Sequence, residues 1–351
     1  MNTLLVASTE DSTGKTALAL SLGQLAQERG ASVGYMKPKG TRLQSNVGKT
    51  LDADPMLARD ILDLDSEMHE MEPIVYSPTF IEGAIRGQED AAELRDRVSE
   101  AFDALAEDRD LMIVEGGGKY TTGGIVDLAE DDVSDAVDAD VVLVERIQTV
   151  ADVDDLLAAT ERFGDRLRGV VFNAVSDSMY DMVDSDVVPF LQGRDVSVFG
   201  VIPHDRTLAG VTLTDITDEL GGDILTSVDD DVFVERVLVG AMSGESALRH
   251  FRRTKDAAVI TGGDRSDVQT AALEAPGVKA LILTGGFEPP GAVLGKAAER
   301  NVPVLVVQSD TLATVERAEE LIRGGRVRDA KTVETMRGLL HEHVDVDALL
   351  D

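Results

Sequence analysis

The chain has no cysteine and no tryptophan, and aromatic residues make up only 4% of its 351 positions. Without cysteine there is no disulfide framework, no thiolate metal site and no thiol nucleophile, so amide chemistry would need free ammonia or a partner. Histidine is rare, at five residues, which leaves few candidates for a general base near neutral pH. No apolar run is long enough to span a bilayer, and Met1-Asn2-Thr3 followed by a strand-like run does not read as a signal peptide. A soluble, cytoplasmic protein is expected. Positive charge is also short: 33 basic residues face 66 acidic ones, a net charge of −33. That field repels nucleic acid and anionic membranes, and no basic patch offsets it. Acid is spread along the whole chain, as in Glu130-Asp131-Asp132 and Asp152-Val153-Asp154-Asp155. The even spread favours adaptation of the surface to high salt, which screens self-repulsion, over a dedicated acidic partner face.

What is present begins near the N-terminus. An apolar run, Leu4-Leu5-Val6-Ala7, leads into Ser8-Thr9-Glu10-Asp11-Ser12-Thr13-Gly14-Lys15-Thr16, and a helical stripe of Leu18, Leu22 and Leu25 follows. Strand, loop ending in Gly-Lys-Thr, then helix is the context of a phosphate-binding loop. Backbone N–H groups of Thr13, Gly14, Lys15, Thr16 and Ala17 would surround the phosphates of a nucleotide. Lys15 would supply a point charge and the Thr16 hydroxyl a ligand for Mg²⁺. One position departs from the pattern: Ser8 stands where the loop calls for glycine. Glycine there ordinarily serves a conformation that other residues reach with strain, so Ser8 is expected to bear on affinity or catalysis.

The second strand, 32–36, ends at Lys37-Pro38-Lys39-Gly40, on the sheet edge where ligands bind in open parallel sheets. Lys37 either reaches a phosphate or substrate anion, or is a solvated loop lysine. Asp52 reads as an N-cap, and Asp54 as a residue that could face Mg²⁺. A long amphipathic helix, about 89–107, carries Leu94, Val98, Phe102 and Leu105 on its apolar side. Leu111-Met112-Ile113-Val114 is a nearly all-apolar strand that ends at Glu115-Gly116-Gly117-Gly118. An acidic residue at that point is the usual second half of a phosphate-loop site, and the glycines allow close backbone approach. Strand patterns at 140–144, 169–172 (ending at Asn173) and 198–202 (ending at Pro203-His204) alternate with helical stretches, which means a parallel α/β sheet. A helix at 213–220 with a glycine stop closes this first domain, 1–222. A connector, 223–240, reads as a short strand, an acidic turn and a helix carrying Val232, Val237, Leu238 and Val239.

The last third, 241–351, holds an internal echo. Ala258-Val259-Ile260-Thr261-Gly262-Gly263-Asp264-Arg265 is matched by Leu281-Ile282-Leu283-Thr284-Gly285-Gly286, each a strand ending in Thr-Gly-Gly before a helix. These loops either bind a small anion or are tight turns that need glycine. Asp264 and Arg265 read as a ligand-binding pair or as a structural ion pair.

The loop resembles that of dethiobiotin synthetases, G-T-D-T-x-x-G-K-T, and the resemblance extends through Lys37-Pro38, Asp54, Glu115-Gly116-Gly117-Gly118, Asn173 and Gly200-Val201-Ile202-Pro203. It implies ATP, with Thr16, Asp54 and Glu115 holding Mg²⁺, Lys15 and Lys37 on phosphate and the reacting carboxyl, and Asn173 and Pro203 lining the base pocket. The last third resembles a DRTGG domain on Asp264-Arg265 and Thr284-Gly285-Gly286. Together they resemble the N-terminal part of long phosphate acetyltransferases, here expected from a haloarchaeon. The fold implied is α/β: a parallel-sheet P-loop NTPase domain followed by a smaller α/β DRTGG domain. With neither an acetyl-transfer domain nor a cysteine-dependent glutaminase, a regulatory ATP-binding protein is expected, as a homo-oligomer (a dimer), with a partner enzyme in acetyl-CoA metabolism and at most slow ATP hydrolysis. An ATP-dependent carboxylate-activating ligase is the alternative. A partitioning-type ATPase switch is a weaker third, since Thr9 stands where such proteins carry a signature lysine.

Overall fold

Strands that are apolar along their whole length must be covered on both faces, and the computed structural model builds two parallel sheets from them. It describes residues 1–41, 43–46, 49–205, 208, 210–226, 232–324 and 330–350. The chain forms two compact units, Met1–His204 with Arg328–Asp351, and Asp205–Val327.

In the first unit six parallel strands run in the order Val198–Pro203, Leu167–Val175, Asp140–Glu145, Asn2–Ala7, Leu111–Glu115, Val33–Met36. The first strand is therefore central, and strands from more than a hundred residues later flank it. Val6 pairs with Glu115 on one side and Ala7 with Leu143 on the other, so the loop leaving Ala7 emerges between the ends of two strands that each finish in glutamate. The helix after that loop, Lys15–Glu28, buries Leu18, Ala19, Leu20 and Leu22. A helix from the far end of the chain, Ala330–His343, lies along it: the Ser21 hydroxyl donates to the Val333 carbonyl at 2.9 Å, and Arg337 pairs with Glu28 at 2.7 Å.

In the second unit the strand order is Asp223–Ile224, Val304–Val306, Val278–Thr284, Ala257–Gly262, Arg236–Val239, parallel except for the first. The two-residue period of a strand divides its core: Ala258 and Ile260 pack with the Leu213–Leu220 helix on one face, while Val259 packs with Phe251 and Val268 on the other.

Three sequence expectations need correction here. The break falls at 204, not 222, because Leu213, Ile216 and Leu220 fill the second unit's core. Residues 328–351 return to the first unit instead of closing the second. Val237, Leu238 and Val239 form an edge strand beside Ala257–Gly262, not a helix, as the two β-branched valines favour. The acidic turn at 227–231 lies outside the described residues.

Candidate functional site

The phosphate loop is shaped by two left-handed residues, Ser12 at φ 57° and Gly14 at φ 96°. Gly14 is required twice over, since a Cβ there would also sit 2.3 Å from the Asn173 amide nitrogen. That amide donates to the Thr13 carbonyl at 2.7 Å and fixes the loop from outside. Ser8 is not among the positive-φ residues, so its departure from glycine costs no left-handed strain. Its hydroxyl instead accepts a hydrogen bond from Lys15 Nζ at 2.7 Å, and the Gly118 carbonyl accepts another at 2.7 Å. Burial lowers the Lys15 pKa from 10.5 to about 8, against the opposing pull of Glu115, Glu130 and Asp11.

Glu115 ends its strand with both oxygens engaged. Thr16 Oγ1 donates to one at 2.6 Å and the Tyr35 hydroxyl to the other at 2.7 Å. Lys37 stands beside it, 2% exposed, with Nζ 2.8 Å from Asp52, paired to Asp54 and 3.9 Å from Glu115. It is neither solvated nor free. Asp52 does cap a helix, Ala53–Ile61, accepting from the Asp54 N–H at 2.9 Å.

A cavity of about 320 Å³ opens over the loop, and Thr13, Gly14, Lys15, Thr16, Lys37, Asp54, Glu115 and Gly116 all line it. Ala17, in the first helical turn, is half-buried and does not. Asn173 stands behind the loop, and Pro203 ends the Val198–Pro203 strand away from the cavity lining. Among the described residues no cluster of three or more His, Cys, Asp or Glu is arranged to hold a metal unaided. A hydroxyl and two carboxylates on one cavity are nonetheless hard oxygen donors of the type Mg²⁺ accepts alongside phosphate oxygens. In the second unit, Gly285 and Gly286 have φ of 84° and 71° and so serve a turn only glycine makes easily. The Thr284 hydroxyl bonds that of Thr311 at 2.7 Å. Arg265 donates to the Met242 carbonyl at 2.8 Å and pairs with Asp267 at 3.5 Å; the structural ion pair is with Asp267 and not with Asp264.

Sequence reasoning passed over Glu145 and the Lys39–Glu130 pair, and gave Ser8 a different role. Glu145 takes the Thr9 N–H at 2.8 Å on one oxygen and the Thr9 hydroxyl on the other. Burial raises its pKa from 4.5 to about 7, although the Thr9 bonds and Lys15 pull the other way. The signal was present: Val141-Val142-Leu143-Val144-Glu145 repeats the pattern of Leu111 to Glu115. Lys39 and Glu130, both wholly buried, pair at 3.2 Å, and Glu130 also receives the Gly117 N–H at 2.9 Å. Ser8, noted for its strain, serves as a partner of Lys15. Nothing local in the sequence marks either role.

The AAA domain profile (AAA_26) matches residues 2–212, and the DRTGG domain profile residues 215–321. The chain belongs to the AAA domain family. Its AAA domain has the parallel-sheet P-loop NTPase-like architecture, and a DRTGG domain follows it. The chain is similar to the phosphate acetyltransferase of Pseudomonas putida, at 24% identity over 366 residues, 98% of this chain and 51% of that protein. It is similar to the ATP-dependent dethiobiotin synthetase of Methanocaldococcus jannaschii at 25% over 181 residues, 50% of this chain and 80% of that one. It thus spans about half the length of the phosphate acetyltransferases it matches. The MinC:MinD cell division complex of Aquifex aeolicus is matched at 16% identity, 59% of this chain and 83% of that one, with a TM-score of 0.36, too slight a likeness to argue from.

Proposed function

We propose that the AAA domain binds Mg-ATP and that the chain is a regulatory protein, with the DRTGG domain sensing a small ligand or coupling to a partner enzyme of acetyl-CoA metabolism. The observation that carries the nucleotide reading is the buried Lys15 ammonium, on the same cavity as the Thr16–Glu115 pair. Backbone N–H groups from Thr13 to Thr16 would receive the phosphates, and Lys15 would add its charge. Thr16, Glu115 and Asp54 would hold Mg²⁺, which when bound neutralises charge on the β- and γ-phosphates. Similarity to phosphate acetyltransferases across the whole chain supports the link to acetyl-CoA metabolism. A cytoplasmic homodimer in a high-salt cell is part of the same proposal; the charge of −33 supports only the high-salt setting, where salt screens self-repulsion.

The ligase alternative needs a base for an amine. Glu145 has a suitable pKa, yet it does not line the cavity over the loop, so regulation is preferred. A thermal-shift titration with ATP and Mg²⁺ in high salt tests binding, because ligand at 100 times its Kd stabilises by roughly 2.7 kcal/mol. The shift is expected for the wild type and absent from Lys15→Ala. No shift in the wild type overturns the nucleotide reading. A stoichiometric burst of ADP on adding one carboxylate metabolite overturns the regulatory one.

A further inference from the structure

Two residues that lie on opposite sides of the second unit in sequence stand beside the Thr13–Gly14 peptide, outside the cavity lining. Asn173 precedes that unit and holds the Thr13 carbonyl at 2.7 Å. Because carbonyl and N–H point oppositely across a trans peptide, this bond also aims the Gly14 N–H away from Asn173. Met336 follows the unit, on the Ala330–His343 helix. It is 2% exposed, and its terminal methyl lies 4.0 Å from where a Cβ on Gly14 would stand. Its neighbours on the stripe, Val333 and Leu340, are buried as well. The Ser21 hydroxyl bond to the Val333 carbonyl and the Arg337–Glu28 pair hold that helix in place along Lys15–Glu28. Met336 is the residue of this stripe that reaches the loop.

We propose that Met336 is a positioning residue for the phosphate loop, acting with Asn173 to hold Gly14 in its left-handed conformation, so that nucleotide affinity depends on the segment that returns from the second unit. The inference rests on the nucleotide reading above. A glycine at φ 96° has no side chain of its own to hold it. Its conformation is kept by what packs around it, and Met336 and Asn173 are the side chains within 4 Å of its open Cβ direction. Removing the thioether leaves a void behind the loop and lets Gly14 sample other backbone states before phosphate arrives. Binding then has to pay for the ordering that the native packing supplies in advance.

The test uses the full chain and Mg-ATP titrated by calorimetry, with unfolding measured in parallel. Met336→Ala is expected to weaken Mg-ATP by roughly tenfold. Met336→Leu, which refills the space, is expected to bind within about twofold of wild type. Leu340→Ala, on the same helix and wholly buried, is expected to lower stability as much as Met336→Ala while leaving affinity within about twofold. Unchanged affinity in Met336→Ala, or an equal loss in Leu340→Ala, overturns the positioning role while the nucleotide reading stands. Failure of the wild type to bind Mg-ATP overturns both.

Discussion

The pair formed by Lys39 and Glu130 offers a direct test of how the glycine turn behind Glu115 is held. Neither residue is exposed at all, and their charged atoms are 3.2 Å apart. Lys39 also donates to the Leu128 carbonyl, and Glu130 receives the Gly117 N–H. The substitution Lys39→Met keeps the stem's volume and removes the ammonium. Glu130 is then a buried carboxylate without its counter-charge, and breaking such a pair from one side costs roughly 3–5 kcal/mol. Losing the donor to Leu128 adds to that, so the cost should sit at the upper end. In the double variant Lys39→Met/Glu130→Gln, no charge of this pair remains buried, and the introduced amide carbonyl can still accept from the Gly117 N–H. The double should therefore be more stable than the single by at least about 2 kcal/mol. Urea is the denaturant to use, since guanidinium as a salt would screen the charges under study. The chain has no tryptophan, and its four tyrosines, Tyr35, Tyr76, Tyr120 and Tyr180, all belong to the first unit. Tyrosine fluorescence thus follows that unit alone. A cost under about 1 kcal/mol for Lys39→Met, or strictly additive effects in the double, would refute the reasoning.

Two pH effects follow from the loop. With its pKa near 8, Lys15 loses its charge at moderately alkaline pH, so ATP affinity should fall between about pH 7.5 and 9. Over the same range and up to 10.5 the unfolded chain holds more protons than the folded one at this residue, so its contribution to stability without ligand should rise with pH. Calorimetry across that range, read against Lys15→Ala, separates the two. For Glu145 the sign is opposite. Its folded pKa of about 7 lies above the ordinary 4.5, so the stability it lends is present below pH 4.5 and lost as pH rises through 7. Glu145→Gln should match the wild type at about pH 4 and exceed it by up to about 3 kcal/mol at about pH 8 in urea melts. Equal gains at both pH values would show that burial does not govern this carboxyl.

The sheet of the first unit was legible because its strands are apolar throughout and end in recognisable chemistry at Gly14-Lys15-Thr16 and Glu115. Helix Ala91–Ala106 was legible from the spacing of Leu94, Val98, Phe102 and Leu105, all buried. Its partners were not. The stripe of Val333, Met336 and Leu340 declares an amphipathic helix, but nothing local says which core it fills, and it fills the one left more than a hundred residues earlier. The same limit hid the break at 204, since the glycine stop after Leu220 marks the end of a helix and not of a domain. Ser8 was misjudged for a different reason. A motif records which residue is usual, while only the backbone angles show that the left-handed positions are Ser12 and Gly14.

The two lysines that sequence places together on phosphate are held in different electrostatic settings. Lys15 rests on neutral acceptors, the Ser8 hydroxyl and the Gly118 carbonyl. Exchanging these for anionic phosphate oxygens adds ion-pair attraction to bonds that the ammonium already makes charge-assisted, and strands no charge. Lys37 is the counter-cation of buried Asp52 and Asp54 and stands 3.9 Å from Glu115. Moving it to a phosphate would take the counter-cation away from carboxylates of 0% and 1% exposure, a cost of several kcal/mol that one phosphate contact does not repay. Lys37 is therefore available to a ligand only when another cation takes its place among those carboxylates. A site with Lys15 ready to engage phosphate is equipped to hold a nucleotide, and recruiting the second lysine requires the acidic network beneath it to be rebuilt first.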